Sequence, residues 1–582
     1  MSKKHMLAGI LMTLLSGVAF YCFFAIKYPY HLHFQEQLQL FESTWGYFRG
    51  VASVPGGFAD WIGRFFTQFF YYAPAGAAVM AVLLCAVQLL TWAACRRRTF
   101  TVYALSFIPA VILLAFYCDE SALLGGAVAI ILSLACAAVC ALIRPDRLRH
   151  IVEVLAVPVL YMACGSIAVI FILITIVNES VGRGLKFLPY AAAMTVLAVL
   201  CPVISARIFP YPLGRLFLGV HYYRLHNILP GILWIAALTC VLVAAFAWFK
   251  SRERRQFATG IAAFVIIAGL GTLLALKAAD DNEEEWMRYD FMARMEMWNR
   301  MMMVADKSNP DNPTTVSCLN LALAKTGRMG DHMFDYFQNG PEGLLPSFTR
   351  SFTVPITTSE IFWHLGMVNT AQRYVFEGQE AIPDFQKSAR CYKRLVQTNI
   401  VNGDYDVARK YLKALHNAVF YRRWADETLE ALDAGVVFEK QPELARARDL
   451  RLKEHDFLFS DTEMDSMLGL LHVENPTNSM ALDYLLAWCL LRKDLDRLTE
   501  VISLVTAPAL PKACQEALLL KWVLTHNDFT GLPEYISRTH VQRISQFISD
   551  IQSGKNEQQM HARYGDTYWF FYYYRYRTSP QQ

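Results

Sequence analysis

Residues 151–177 read IVEVLAVPVLYMACGSIAVIFILITIV, and the number of times this stretch crosses a bilayer decides the architecture of the chain. About 20 apolar residues span a hydrocarbon core, so the stretch suffices for one crossing. It also carries Gly165-Ser166 at its middle, where a chain reversal is cheap. A hairpin broken there has two arms of ~14 residues that reach only ~21 Å each, so it needs shielding by protein or a thinned bilayer. A single crossing gives eight spans in all, and a hairpin gives nine.

The flanking runs are clearer. Met6–Ile26, Tyr71–Cys95, Thr101–Cys118, Ser121–Ile143, Phe187–Ala206, Ile228–Phe249 and Phe257–Leu276 are each apolar and near bilayer length. A bilayer core leaves no water to satisfy backbone amides, so these runs are expected to be helices. The first follows Lys3 and Lys4 and exceeds a signal-peptide core, so it reads as a retained span. Arg96–Arg98 and Arg144/Arg147/Arg149 are expected on the cytoplasmic side with Lys3 and Lys4. If residues 151–177 cross once, Arg183/Lys186 and the Lys250–Arg255 cluster face outward and the C-terminal half is cytoplasmic. If they form a hairpin, all these clusters face inward and the C-terminal half is extracytoplasmic. The hairpin is preferred, because it satisfies four basic clusters instead of two.

Composition agrees with two environments. The 582 residues are 55% hydrophobic and 18% charged. Residues 1–280 hold 21 Lys+Arg and 10 Asp+Glu, a net of +11, and the remainder holds 33 and 40, a net of −7; the two sum to the overall +4. The expected domains are a membrane domain over 1–279 and a soluble helical domain over 280–582. No concentrated basic surface points to nucleic acid. Nine of the 13 cysteines fall in the membrane half and none forms a CxxC pair, so they read as small buried apolar residues.

Residues 27–70, expected outside the first span, carry the most chemical information. Phe34, Leu38, Phe41, Trp45 and Phe48 recur at helical spacing, Pro55-Gly56-Gly57 breaks the chain, and Phe58, Ile62, Phe65 and Phe69 mark a second apolar stripe. Two aromatic amphipathic helices of this kind suit the membrane–water interface. Glu36 falls opposite the first stripe, Glu42 on its edge, and Asp60 in the first turn of the second helix, where a carboxylate favours the helix dipole. A solvated face is the plain alternative for each. His31 and His33, with Glu36 nearby, are a weak metal pattern. Asp119 and Glu120 occupy the next outer turn.

A first span, a long outer loop with amphipathic helices over Phe34–Phe48 and Phe58–Phe70, and acidic residues in the first two outer loops resemble the GT-C superfamily of membrane glycosyltransferases, over about residues 6–280. The resemblance implies an outer-loop carboxylate as catalytic base and a lipid-phosphate sugar donor. Glu36 or Glu42 would be the base, Asp60 a further candidate, and Asp119/Glu120 the second acidic site. Arg207, Arg215 and Arg224 would hold the phosphate, with a divalent cation as a further possibility; interfacial snorkelling is the arginines' alternative role. No Asp-x-Asp pair occurs in the first loop, a departure from the superfamily's pattern.

Beyond Asp280–Glu285 the sequence is helical, with turns at Asn309–Pro313 and Gly340–Pro346. Helices are expected over Asn369–Gln379, after Pro383 through Leu395, after the Asn402-Gly403-Asp404-Tyr405 turn, and around Tyr421–Leu429. That rhythm resembles tetratricopeptide repeats, which implies a concave surface for a peptide or protein partner. The aromatic run Tyr568–Tyr574 is expected to cap the helical stack, with membrane contact, where Arg575 and Arg577 would meet phosphates, and glycan binding as the alternatives. The chain as a whole, through segments such as Asn320–Gly327 and Ala371-Gln372-Arg373, resembles an uncharacterised Bacteroidetes membrane-protein family, which implies a Gram-negative envelope.

The fold expected is therefore all-α: a polytopic bundle of eight or nine spans followed by a repeat-like helical domain in the periplasm. Two functions follow: an inner-membrane transferase using a lipid-linked sugar, or a scaffold whose repeats recruit an envelope protein. The scarcity of charge inside the spans weighs against a transporter.

Overall fold

The computed structural model describes residues 3–183, 187–225, 228–248, 256–452, 463–505, 510–526, 529–533 and 536–575. Lys186, the Lys250–Arg255 cluster and Arg577 lie outside these residues. The described residues are helical throughout, and pairing of the β type is confined to one isolated bridge, Ala122–Tyr223. The chain divides into two compact units.

The first unit comprises residues 1–284 together with 383–390 and 413–425. It differs from the expected 1–279 domain by recruiting two short segments from the C-terminal half. Its helices are α1 (Lys3–Cys22), α2 (Pro29–Gln37), α3 (Trp45–Ala52), α4 (Gly57–Thr67), α5 (Ala73–Ala94), α6 (Phe100–Leu105), α7 (Phe107–Phe116), α8 (Gly125–Cys140), α9 (Asp146–Cys164), α10 (Val169–Arg183), α11 (Leu188–Ile208), α12 (Leu213–Leu218), α13 (Gly231–Phe246) and α14 (Gln256–Ala278). Five stretches are long and apolar enough to cross a membrane: Lys3–Lys27, Ala73–Ala94, Asp146–Glu179, Leu188–Ile208 and Gln256–Ala278. This is fewer than the eight or nine expected. The apolar runs Phe100–Phe116, Gly125–Cys140 and Gly231–Phe246 fold into helices shorter than their sequence suggested, because their ends are spent on turns. Leu7, Leu14, Val18, Val265, Leu270 and Leu273 are exposed on α1 and α14. A patch of this kind is costly in water and free of cost in lipid.

The stretch Asp146–Glu179 is not one straight rod. Arg149, near its start, meets Glu179, near its end, at 3.1 Å. A continuous helix would hold those residues ~45 Å apart at 1.5 Å per residue, so the chain reverses between them. The reversal falls at Gly165, with φ +69° and ψ −151°, a conformation essentially confined to glycine. A Cβ there would stand 2.6 Å from the Tyr222 hydroxyl and 3.4 Å from Gly56 Cα. The Tyr222 hydroxyl donates to Cys164 O and accepts from Ile167 N, and Gly56 N donates to Met162 O at 2.9 Å. The hairpin tip is thus seated on the first loop. At the other end Arg96 donates to Asn178 O at 2.9 Å, Arg97 donates to Trp248 O at 3.1 Å, and Lys4 lies 4.7 Å from the Phe257 ring centre.

The first loop departs from its sequence pattern. The expected helix over 34–48 is broken: α2 ends at Gln37 and α3 starts at Trp45. Leu38 N and Gln39 N close the end of α2 on Gln35 O and Glu36 O, and beyond them Leu40 and Phe41 are buried on irregular backbone. Leu40 N donates to Lys387 O and Ser43 N to Asn417 O, so the recruited segments satisfy amides that a helix would have satisfied internally. The second expected helix forms as α4, capped at Gly56 and continued by a 3₁₀ turn over Gln68–Tyr71.

The second unit comprises 285–382, 391–412 and 426–582. Its helices pack in successive pairs. Trp298–Ser308 lies on Pro313–Lys325, Val354–Leu365 on Val368–Ala381, and Met464–Glu474 on Ser479–Arg492. The aromatic run forms a helix, Tyr568–Tyr574, against Lys512–His526. Tyr568, Trp569, Phe570 and Phe571 are all buried, and Arg575 pairs with Glu557 at 2.8 Å.

Candidate functional site

Asp60 enters the core of the first unit on the first turn of α4. Glycines 56 and 57 start this helix, and four residues on, Arg64 closes an i,i+4 ion pair with Asp60 Oδ2 at 2.7 Å. Both side chains are largely buried, at 2% and 12% exposure. Burial pulls the Arg64 pKa down, but the adjacent carboxylate and the Tyr47 hydroxyl outweigh it and hold the guanidinium charged.

Asp60 and Arg64 form one wall of a cavity of about 440 Å³. Tyr211, Arg215 and His221, from the loop region after α11, form another, and Asp384 a third. Arg215 Nη2 contacts Asp384 Oδ2 at 3.2 Å and donates to Val220 O at 3.0 Å. Asp384 holds this position with φ +56°, in the left-handed region that a non-glycine residue enters at a cost. His221 Nδ1 stands 3.7 Å from Asp60 Oδ2, beyond hydrogen-bond reach, and its ring meets Tyr211 edge to face. Burial lowers the His221 pKa, the Asp60 and Asp384 carboxylates oppose this, and Arg64 and Arg215 reinforce it. A second groove, lined by Trp45, Phe48, Arg49 and Phe58, shares Gly50 with the cavity, and Trp45 is 71% exposed there.

Two of the residues singled out in the sequence, Asp60 and Arg215, therefore share one cavity. The others do not line it. Glu36 is buried rather than solvated and accepts from the Tyr421 hydroxyl at 3.1 Å. Glu42 pairs with Lys387 at 2.9 Å. Asp119 accepts from the Tyr223 hydroxyl at 2.7 Å and from Ser121 N at 2.8 Å. Burial, reinforced by the Glu283 and Asp119 charges and partly offset by Arg224, pushes Glu120 up to about 7. Arg224 is buried, donates to Leu38 O and Gln386 Oε1, and is brought down to about 10 chiefly by burial. Arg207 is exposed at the end of α11, as a snorkelling residue would be. Glu36 and Glu42 thus tie the first loop to the recruited segments through Tyr421 and Lys387, while Asp119 is held by Tyr223 and Ser121.

The backbone at His31 also serves the fold. Glu284 accepts from Tyr30 N at 2.8 Å and His31 N at 2.9 Å, satisfying the first turn of α2. Burial takes His31 down to about 3. Among the described residues no group of three His, Cys, Asp or Glu side chains is arranged to hold a metal ion.

Arg64, Tyr211, His221 and Asp384 were not singled out in the sequence. Arg64 was readable as the i+4 partner of Asp60. His221 and Asp384 gave no local signal, because tertiary structure alone brings them to α4.

These features define a class, an all-helical protein with membrane-length apolar helices and a charged, partly enclosed cavity beside them. Within it, the chain belongs to the family of unknown function DUF6057, whose model matches residues 3–575. No curated protein and no solved structure matches the chain.

Proposed function

We propose that the protein is an inner-membrane transferase of the GT-C kind, moving a sugar from a lipid-linked phosphate donor, with its tetratricopeptide-like second unit binding the acceptor in the periplasm. The observation that carries this reading is the cavity shared by a first-loop carboxylate, Asp60, and two guanidinium groups, Arg64 and Arg215. Arginines suit a phosphate, whose charge grows as the sugar leaves. The exposed aromatic groove meeting the cavity at Gly50 suits an amphiphilic donor.

This reading takes nine crossings, counting both arms of the hairpin and the three shorter apolar helices beside the longer spans. The hairpin at Gly165 returns Glu179 to Arg149 and Arg96, so the basic residues near Lys4, Arg96, Arg97 and Arg149 share one end of the unit. The first loop and the hairpin tip then share the other end, and the polypeptide leaving α14 emerges there, where Asp281 pairs with Lys27.

Replacement tests the chemistry. In cells lacking the chain, complementation with the wild type restores the surface-glycan profile, whereas Asp60→Asn and Arg215→Ala do not. Glycans that are unaffected by deletion of the chain overturn the transferase reading. The second reading, an anchored scaffold, is favoured by the paired helices of the second unit. It is supported if a glycan-independent partner crosslinks to that unit and the Asp60 and Arg215 variants behave as wild type.

A further inference from the structure

A transfer to a hydroxyl needs a group that removes the hydroxyl proton. The superfamily resemblance points to a first-loop carboxylate, but both carboxylates of the cavity are already engaged. Asp60 Oδ2 contacts Arg64 at 2.7 Å, and Asp384 Oδ2 contacts Arg215 at 3.2 Å. His221 is arranged differently. It lines the same cavity at 6% exposure, and neither of its ring nitrogens has a hydrogen-bond partner among the described residues. A buried imidazole with both nitrogens unsatisfied costs stability and invites a functional explanation. The charged groups that face it are Asp60 and Arg64 on α4, Arg215 on α12, and Asp384 from the recruited segment, two of each sign. Tyr211 packs against its ring.

Resting on the transferase reading, we propose that His221 is the general base of the cavity, taking the proton of the acceptor hydroxyl on Nε2 while Asp60, facing Nδ1, stabilises the imidazolium that forms. The acceptor oxygen bonds to the sugar C1, the bond from C1 to the donor phosphate oxygen breaks, and its electron pair leaves with the phosphate. Arg64 and Arg215 meet that charge, Arg215 exchanging Asp384 for the phosphate. Asp60 is then a positioning residue. Burial, which lowers the His221 pKa, suits the role, because a base must start without its proton.

The product state contains a phosphate anion and an imidazolium together, so binding the leaving group to the resting protein should draw a proton onto His221. The test uses the full chain in nanodiscs of phosphatidylethanolamine and phosphatidylglycerol, with farnesyl phosphate as the probe. Calorimetric titration near neutral pH, in buffers of different ionisation enthalpy, counts the protons taken up. The wild type should take up about one proton more per bound probe than His221→Gln, with binding retained in the variant. Asp60→Asn keeps the ring but removes its countercharge, so uptake should fall with the imidazole intact. Equal uptake in wild type and His221→Gln, with both bound, overturns the general base and leaves the transferase reading standing. Absence of binding to the wild type, or binding that Arg215→Ala does not weaken, overturns the transferase reading itself. If His221→Gln does not elute as a folded protein, the wild type decides: uptake no greater than the probe's own ionisation in a control titration overturns the inference.

Discussion

Arg149 and Glu179 form a buried ion pair at 3.1 Å across 30 residues of sequence, closing the base of a hairpin whose tip is Gly165. The pair belongs to a cluster. Glu153 lies 3.7 Å from Arg149 and 3.0 Å from His150, and Arg96 lies 3.7 Å from Glu179. Removing one partner leaves the other buried charge with only its longer contacts in the cluster, so the loss approaches, without reaching, the cost of about 3–5 kcal/mol for a fully stranded buried charge. Arg149→Ala and Glu179→Ala should therefore each lower the thermal midpoint of the detergent-solubilised protein strongly. Their double variant should lose less than the sum. Additive losses would mean that the two arms are not held together at their base.

Gly165→Ala should destabilise the first unit by more than the ~1–3 kcal/mol expected for a disfavoured backbone alone. The added methyl also meets the Tyr222 hydroxyl at 2.6 Å, in a place where that hydroxyl is tied to both Cys164 and Ile167. Gly46→Ala is the control, since nothing lies within 4 Å of a Cβ there. Thermal unfolding of the two variants side by side checks this, and equal midpoints would remove the close approach of the hairpin tip from the account.

The hairpin was legible because Gly165-Ser166 interrupts an apolar run and because the basic clusters alternate sensibly only if the chain turns back. The broken helix in the first loop was not. Leu38 and Phe41 keep helical spacing with Phe34 and Phe48, yet the helix ends at Gln37, and beyond it the amides of Leu40 and Ser43 pair with Lys387 O and Asn417 O. Periodicity reports which residues seek burial, and it is silent on where the backbone finds its partners. The site divides the same way. Asp60 stood out as an acid at the start of a helix, and Arg215 as a cation in an outer loop. His221 and Asp384 reach the same cavity through packing that no local pattern encodes.

Glu516 should make the second unit more stable in mild acid than at neutral pH. Its Oε2 accepts from Tyr568 N at 2.8 Å and its carbonyl accepts from Trp569 Nε1 at 2.8 Å, anchoring the aromatic helix. Burial, partly offset by that backbone bond and by Lys512, pushes its pKa up to about 7. A carboxyl whose folded pKa exceeds its unfolded value stabilises the fold fully below the unfolded pKa, and that stability is lost as pH rises through the folded one. The loss therefore falls between about pH 4.5 and about pH 7 and is of order 3 kcal/mol. Glu516→Gln keeps an acceptor for Tyr568 N and removes the titration. Denaturant unfolding at a series of pH values should show the wild type weakening across this window and the variant changing much less.

Trp569→Ala should cost about 3–5 kcal/mol, because it removes a large, fully buried side chain and leaves a cavity. Trp569 is 0% exposed, packs near Phe547 with ring centres 6.2 Å apart, and its Nε1 donates to Glu516 O at 2.8 Å. Replacement by Phe should be milder, losing that bond but keeping most of the volume. A membrane-facing role for Tyr568–Tyr574 predicts the reverse: little change in unfolding and weaker liposome binding. Unfolding and flotation of the two variants separate these outcomes.

Arg64→Ala should destabilise the protein more than removing both charges of its pair. Asp60 and Arg64 sit 2.7 Å apart with 2% and 12% of their side chains exposed. Deleting the guanidinium leaves Asp60 buried beside His221, whose pKa burial lowers, so the imidazole is a poor replacement for the lost cation. The expected loss is about 3–5 kcal/mol. In Asp60→Asn/Arg64→Met both charges go and the volume is roughly kept, so stability should largely return while any phosphate binding stays weak. That combination separates the two duties of the pair, since a purely structural pair would recover both properties together. Thermal midpoints, read beside farnesyl phosphate titrations of the wild type, the Arg64 variant and the double variant, supply both numbers from the same preparations.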